Sequence, residues 1–271
     1  MKFKYDHDLH IHSYLSSCSN DPEQTPQRIL DYGKKYGLTT LCLTDHFWDE
    51  TVEGASEWYA VHDYPHISKA LPLPQYDGIR FLFGCETEMN RFLTVGISKE
   101  RMEELDFIII PTTHMHMNRY AMNGYTIFEE QSKNVRTRAE AWVKRFEHLL
   151  NMDLPFYKVG VAHLAYGLIA PSRQETLEVL DLITDDDYAM LFKKAAQVGI
   201  GIELNHSDMS FKDEESDIIL RPFRIARECG CKFYLGTDAH NPKTFDDARE
   251  VFNRAIDMLS LEEKDKFIIG G

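Results

Sequence analysis

Short apolar runs bounded by polar or turn-forming residues recur along the chain: "TTLCLTD" at 39–45, "IRFLFGCE" at 79–86, "DFIIIPTTH" at 106–114, "YKVGVAHL" at 157–164, "GIGIELN" at 199–205 and "CKFYLGTDAH" at 231–240. Their length and β-branched or aromatic content predict buried strands. Between most of them the apolar positions switch to helical spacing. Residues 25–36 set Ile29, Leu30 and Tyr36 near one face and stop at Gly37, and residues 137–150 carry Trp142, Phe146, Leu149 and Leu150 on one stripe; both read as helices. Similar spacing predicts helices over 186–198, 217–229 and 244–259. Strands alternating with helices imply an α/β fold with a mostly parallel sheet, closed or open. Near the start, "DLHIHS" at 8–13 sets two histidines one residue apart; in a strand, His10 and His12 share a face and can grip one cation.

Two connections break the rhythm, one from Phe47 to Gly78 with Trp48, Trp58 and Tyr64, the other from His116 to Val135 with Tyr120 and Tyr125. Loops of that length are expected to shape a pocket or to fold into short helices of their own. No internal repeat, low-complexity tract or linker divides the chain, so residues 1–271 are expected to form one domain.

Composition narrows this picture. A chain of 271 residues suits one barrel of strand and helix units, and 43% hydrophobic with 27% charged residues is an ordinary globular mixture. Asp plus Glu outnumber Lys plus Arg 44 to 30, for a formal net charge of -14, which weighs against nucleic acid as partner unless a local basic groove exists. The charged start and the lack of a long apolar span predict a cytoplasmic protein with no membrane partner. Cys18, Cys42, Cys85, Cys229 and Cys231 are odd in number and lack framework spacing, so they are read as mostly reduced.

Each predicted strand ends in a side chain able to bind metal: His10 and His12, Asp45 and His46, Glu86, His114, His163, then Asp238 and His240. In a parallel barrel the strand ends converge, so positions scattered in sequence become one cluster. Imidazoles with carboxylates suit Zn, Mn or Fe, and several carboxylates imply bridged metals that hold a hydroxide and a substrate oxygen between them, the arrangement of two-metal hydrolysis. His7, His62, His66 and His148 lie away from strand ends and are read as ordinary.

"DLHIHS", "LTDHF", "GCETE", "TTHMH", "GVAHL", "IELN" and "LGTDAHN", in that order, resemble the polymerase and histidinol phosphatase (PHP) family from Asp8 to the helix after His240. The resemblance implies a distorted TIM-like barrel of seven strand and helix units, (β/α)7, with two or three divalent metals, and phosphoester hydrolysis. It implies that His10, His12, Glu86 and Asp238 hold one metal, that Glu86 bridges to a second held by His114 and His163, and that His46 and His240 hold a third. Glu86, His163 and Asp238 would then be catalytic as well as ligating. The third metal usually draws a His or Asp about six residues beyond the HxH pair; here Cys18 holds that place and Asp21 follows. Cys18 would favour Zn or Fe(II), Asp21 a harder ion such as Mn, and an empty third site also fits.

Around this set, His116 reads either as a substrate contact beside His114 or as a solvated loop residue. Glu203 and Asn205 can orient a ligand or a water, and His206 reads equally well as exposed. Arg173 is either a bidentate phosphate contact or a solvated loop arginine. The leading expectation is a metal-dependent phosphomonoesterase, histidinol-phosphatase-like, acting on a small phosphorylated molecule. A nucleotide or oligonucleotide phosphodiesterase or exonuclease of the same family is the second, marked by a basic stripe beside the metals, and a non-catalytic metal-binding module is the third.

Overall fold

A computed structural model describes residues 1–19, 21–118, 134–165 and 167–270. The predicted strands all form: β1 (His7–Ile11), β2 (Thr40–Leu43), β3 (His46–Phe47), β4 (Arg80–Phe83), β5 (Cys85–Thr87), β6 (Ile108–Ile109), β7 (Val159–Val161), β8 (Gly201–Asn205) and β9 (Lys232–Gly236). Every pairing is parallel, in two hydrogen-bonded sheets ordered β1-β2-β4 and β3-β5-β6-β7-β8-β9.

The two sheets are one wall interrupted twice. Only Thr44 and Asp45 separate β2 from β3, and only Gly84 separates β4 from β5, so each pair is a single strand with a break. At Gly84 a Cβ would stand 2.3 Å from the Phe107 carbonyl oxygen and 2.9 Å from Cys42 Sγ, so the close approach of neighbouring strands requires glycine. Among the described residues this leaves seven strand positions, in a distorted α/β barrel whose ladder is not continuous. Its seam lies between β9 and β1. There Asp238 N–H donates to the His10 carbonyl (2.7 Å) and His12 N–H to that of Ala239 (3.1 Å). Asp8 reinforces the seam, accepting the N–H (3.0 Å) and Oγ–H (2.7 Å) of Thr237.

Helices cover the outside as their apolar stripes require. Thr25 caps Pro26–Tyr36, which ends on a left-handed Gly37 (φ 69°), and Thr184 caps Asp185–Val198. Val135–Leu150 buries Trp142, Phe146, Leu149 and Leu150, and Ser216–Glu228 forms close to its expected place. The last predicted helix is shorter than its pattern, because Pro242–Phe245 makes a 3-10 turn and the α-helix runs only over Ala248–Met258. The polar stretch around Arg173, read as a loop, is a helix over Arg173–Leu182 whose Ser172 cap accepts the Glu175 N–H. Inside the barrel, Leu9, Cys42, Leu82, Phe107, Ile109, Ala162, Tyr234 and Phe267 form an apolar plug. The strap carrying Phe267 is tied to the start of β9 by its N–H to the Phe233 carbonyl, 2.8 Å. Among the described residues no helix is long and apolar enough to cross a membrane.

Candidate metal centre

The strand ends opposite the plug turn polar. His10 and His12 leave β1, His46 opens β3, Glu86 lies in β5, His114 and His163 follow β6 and β7, Glu203 and Asn205 end β8, and Asp238 and His240 follow β9. His10, His12, His46, Glu86, His114, His163, Glu203 and Asn205 are all buried. His163 (φ 43°) and Asp238 (φ 52°) adopt left-handed backbone conformations, which β-carbon-bearing residues rarely take and which the surrounding bonds must hold.

Four groupings bring ligand atoms within 4.8 Å of one another: His10, His12 and Glu86; Glu86, His114 and His163; His12, His46 and His240; and His10, His163 and Glu203. Asp238 joins the first through Oδ1, 3.1 Å from His12 Nε2 and 3.5 Å from His10 Nε2. Glu86 is central, with Oε1 3.1 Å from His163 Nε2 and Oε2 2.9 Å from His46 Nδ1. Neither Glu86 oxygen has a hydrogen-bond donor, although both are fully buried.

The outer hydrogen bonds fix which ring nitrogens face inward. His10 Nδ1–H donates to Glu203 Oε1 (2.7 Å), because a carboxylate can only accept. Ser16 Oγ–H donates to Asp45 Oδ1 (2.7 Å), so towards His12 it accepts, and His12 Nδ1–H is the donor at 2.9 Å. His114 Nδ1 meets Glu88 Oε1, and His240 Nδ1–H donates to the Asp238 carbonyl at 2.8 Å. In their neutral form His10, His12, His114 and His240 therefore carry the proton on Nδ1, which leaves Nε2 with a lone pair. The Nε2 atoms of His10 and His12 stand 3.1 Å apart, so close that a proton or a metal ion must lie between them. Unpaired carboxylate oxygens and converging imidazole lone pairs are a donor set that fits divalent metal ions.

The electrostatics agree. Burial would raise the Glu86 carboxyl, but the imidazoles of His46, His10 and His12 gathered around it hold it well below the usual range. Burial works against charge on His10, yet the carboxylates of Glu203, Asp238 and Glu86 lift it well above an ordinary imidazole. Despite burial, Glu86 and Asp238 likewise raise His163, to about 9. Burial and nearby histidines push His114 well down and His240 down to about 3, keeping both neutral. The centre attracts positive charge, and protons and metal ions compete for it.

Glu203 braces more than His10: its Oε2 accepts the His163 N–H (2.9 Å) and Asn205 Nδ2–H (3.2 Å). A Cβ on Gly236 would lie 2.0 Å from Glu203 Oε1, so glycine at the end of β9 lets that carboxylate reach His10. Sequence reasoning gave no role to Glu88, which accepts from Tyr59 OH (2.8 Å) as well as meeting His114, and which burial lifts to about 7. Its place two residues after Glu86, just beyond the end of β5, is a signal that could have found it. Asp45 was counted among metal-competent side chains, but its oxygens serve Ser13 N–H, Ser13 Oγ–H and Ser16 Oγ–H, each at 2.7 Å, and hold the loop after His12. His62, read as ordinary, is buried behind His46 and accepts the Ser17 N–H at 3.0 Å.

A cleft of about 750 Å³ opens onto the centre. Gly54, Ala55, Ser56, Trp58 and Tyr59 of the first long connection form part of its wall, as expected; His116 also lines it. The second connection falls largely on residues 119–133, so Tyr120 and Tyr125 lie outside the described residues. Cys18 is exposed on the cleft wall and joins none of the four groupings, and Asp21 accepts the Glu23 N–H (2.9 Å) in a turn. Arg173 is not a loop residue at the cleft. It opens a helix and forms a two-pronged ion pair with Glu215 at 3.0 and 2.8 Å. His206 pairs with Asp247 at 2.9 Å.

Comparison with known proteins places this geometry. The family model described as PHP domain matches residues 8–207. A histidinol phosphate phosphatase from Lactococcus lactis subsp. lactis Il1403, solved with zinc, L-histidinol and phosphate, superposes with a TM-score of 0.60 at 16% identity, covering 97% of this chain and 98% of that one. Plasmodium falciparum HPPK-DHPS covers 95% of this chain and 47% of its own at 10% identity, and its TM-score of 0.39 carries no argument. No curated protein matches the sequence significantly.

Proposed function

Because the chain belongs to the PHP domain family, we propose that it is a metal-dependent phosphoesterase that hydrolyses a small-molecule phosphomonoester, in the manner of the histidinol phosphatase it resembles in fold. The observation that carries this reading is Glu86: a buried carboxylate with both oxygens free of hydrogen-bond donors, ringed by imidazoles. In this reading His10, His12, Glu86 and Asp238 hold one ion, Glu86, His114 and His163 a second, and His46 and His240 a third, with His12 close enough to share it. Zinc, manganese or iron suits such donors.

Divalent ions bound there would supply Lewis-acid charge for the phosphoryl oxygens and lower the pKa of an attacking water. The chain's own residues do the rest. Glu203, Ser16 and Glu88 fix the tautomers of His10, His12 and His114, so that Nε2 points inward before any ligand arrives. Glu86 sits between two of the groupings, the position of a bridge. The cleft of about 750 Å³ has room for a small phosphoester.

The test is phosphate release from a panel of small phosphomonoesters that includes L-histidinol phosphate, by protein reconstituted with Zn, Mn or Fe(II), with bound metal counted by elemental analysis. Metal-dependent turnover that His163→Ala abolishes, together with a lower metal count in that variant, is the expected result. Retained turnover in His163→Ala would remove that residue from the machinery, and metal-independent or absent turnover would end the phosphomonoesterase reading.

A further inference from the structure

The cleft wall around the centre carries one strong charge. Arg91 is the lysine or arginine found among the described residues lining the cleft, and the acids there, Glu86 and Asp238, are both taken up in the histidine groupings. Away from the centre the described wall is therefore neutral or basic, with Ser56, Trp58, Asn90 and Leu168 beside Arg91.

Arg91 is also held in place and kept free of acids. The buried Asn90 side chain accepts the N–H groups of Phe92 (2.9 Å) and Thr94 (3.0 Å), which closes a tight turn around Arg91. The buried Arg145 guanidinium anchors that turn from below, donating to the carbonyls of Met89 (2.8 Å) and Asn90 (3.4 Å). The Arg91 guanidinium lies over the Phe92 ring, 4.5 Å from its centroid, and that ring is itself 72% exposed. Arg101, Arg173, Arg221 and Arg254 all pair with carboxylates, whereas no carboxylate of a described residue lies within ion-pair distance of Arg91. In a chain of net charge -14, a guanidinium carried to the cleft on a pinned turn, with no described carboxylate in reach, is set to read an anion, and its planar fork matches a carboxylate in two-pronged fashion.

We propose that Arg91 is the specificity residue of this site and that it selects a phosphomonoester whose leaving group carries a carboxylate, in place of the cationic amino alcohol held by the Lactococcus enzyme. This rests on the phosphoesterase reading above. The metal centre takes the phosphoryl end and Arg91 takes the acid at the other end. A cationic leaving group would face a like charge with no acid on the described wall to offset it.

The experiment compares kcat/KM of the metal-loaded enzyme for 3-phosphoglycerate, glycerol 3-phosphate and L-histidinol phosphate. The first two share a three-carbon skeleton and differ in a carboxylate. The expected preference for 3-phosphoglycerate is about tenfold or more over each of the others. Arg91→Ala should bring the first two substrates within about threefold of each other through KM, Arg91→Lys should keep part of the preference, and Arg91→Glu should turn it towards L-histidinol phosphate. A wild-type preference for L-histidinol phosphate, or equal ratios in wild type and Arg91→Ala, would overturn the proposal and leave the phosphatase standing. Turnover of none of the three would overturn both.

Discussion

Towards the strand starts the barrel is stopped by Phe107, Tyr234 and Phe267, whose ring centroids lie 5.2 to 6.2 Å apart. A few residues further along the same walls the interior holds His10, His12, Glu86, His114 and His163 at equal burial. The aromatic end is complete in itself, since each ring gains its stabilisation from its neighbours. The polar end is incomplete, because Glu86 is buried without donors and the Nε2 atoms of His10 and His12 converge on each other. One end supplies stability and the other stores a demand for cations, which is the division expected when a fold carries a site that breaks the rules of its own core.

That contrast can be broken from either side. The largest effect should come from Glu86→Gln, which removes the shared carboxylate: we expect a loss of turnover of about 10³-fold or more, with the metal-free protein still unfolding cooperatively. Collapse of the fold in that variant would mean that the polar end is structural too. At the other end, Phe107→Ala should lower unfolding free energy by about 3–5 kcal/mol in denaturant titrations and leave the metal count unchanged. Next, Glu203→Gln should weaken metal binding about 10–100-fold by loosening His10, measured by competition with a chelator. A smaller effect concerns the strap that carries Phe267, where Lys266 Nζ bonds both oxygens of Asp6 at 2.9 Å. Burial alone would raise the Asp6 carboxyl, but His7 and Lys266 hold it at about 2. Its stabilising effect is thus full above the unfolded value of about 4 and is lost as pH falls through about 2. Lys266→Ala should cost about 1 kcal/mol at neutral pH and flatten the acid limb of the stability curve.

The sequence showed the strand ends clearly because they recur with the strands themselves: a buried apolar run followed by His, Asp or Glu is a local pattern, and barrel topology converts it into a cluster. The seven strand positions were legible for the same reason. What it hid depends on partners distant in the chain. Arg173 read equally as a phosphate contact or a solvated arginine, and its pairing with Glu215, far along the sequence, left no local trace. Arg91 sits in a turn with no periodicity, and its proposed role comes from Arg145 beneath it and from the absence of acids beside it among the described residues, neither of which leaves a local signature. Ser16 and Asp45 were missed as a pair because their task, fixing the His12 tautomer, exists only once the loop after β1 has folded back.

The seam between β9 and β1 has a consequence for biosynthesis. His10 is made well before Asp238, and the backbone bond from Asp238 to the His10 carbonyl joins them. A nascent chain emerging from the ribosome can hold only part of the donor set until that stretch is free to fold, so the metal position proposed for His10, His12, Glu86 and Asp238 is completed only by an assembled barrel. Loading of the proposed centre is thereby tied to synthesis of that stretch, and a product that ends before residue 238 lacks both the seam and the Asp238 carboxylate.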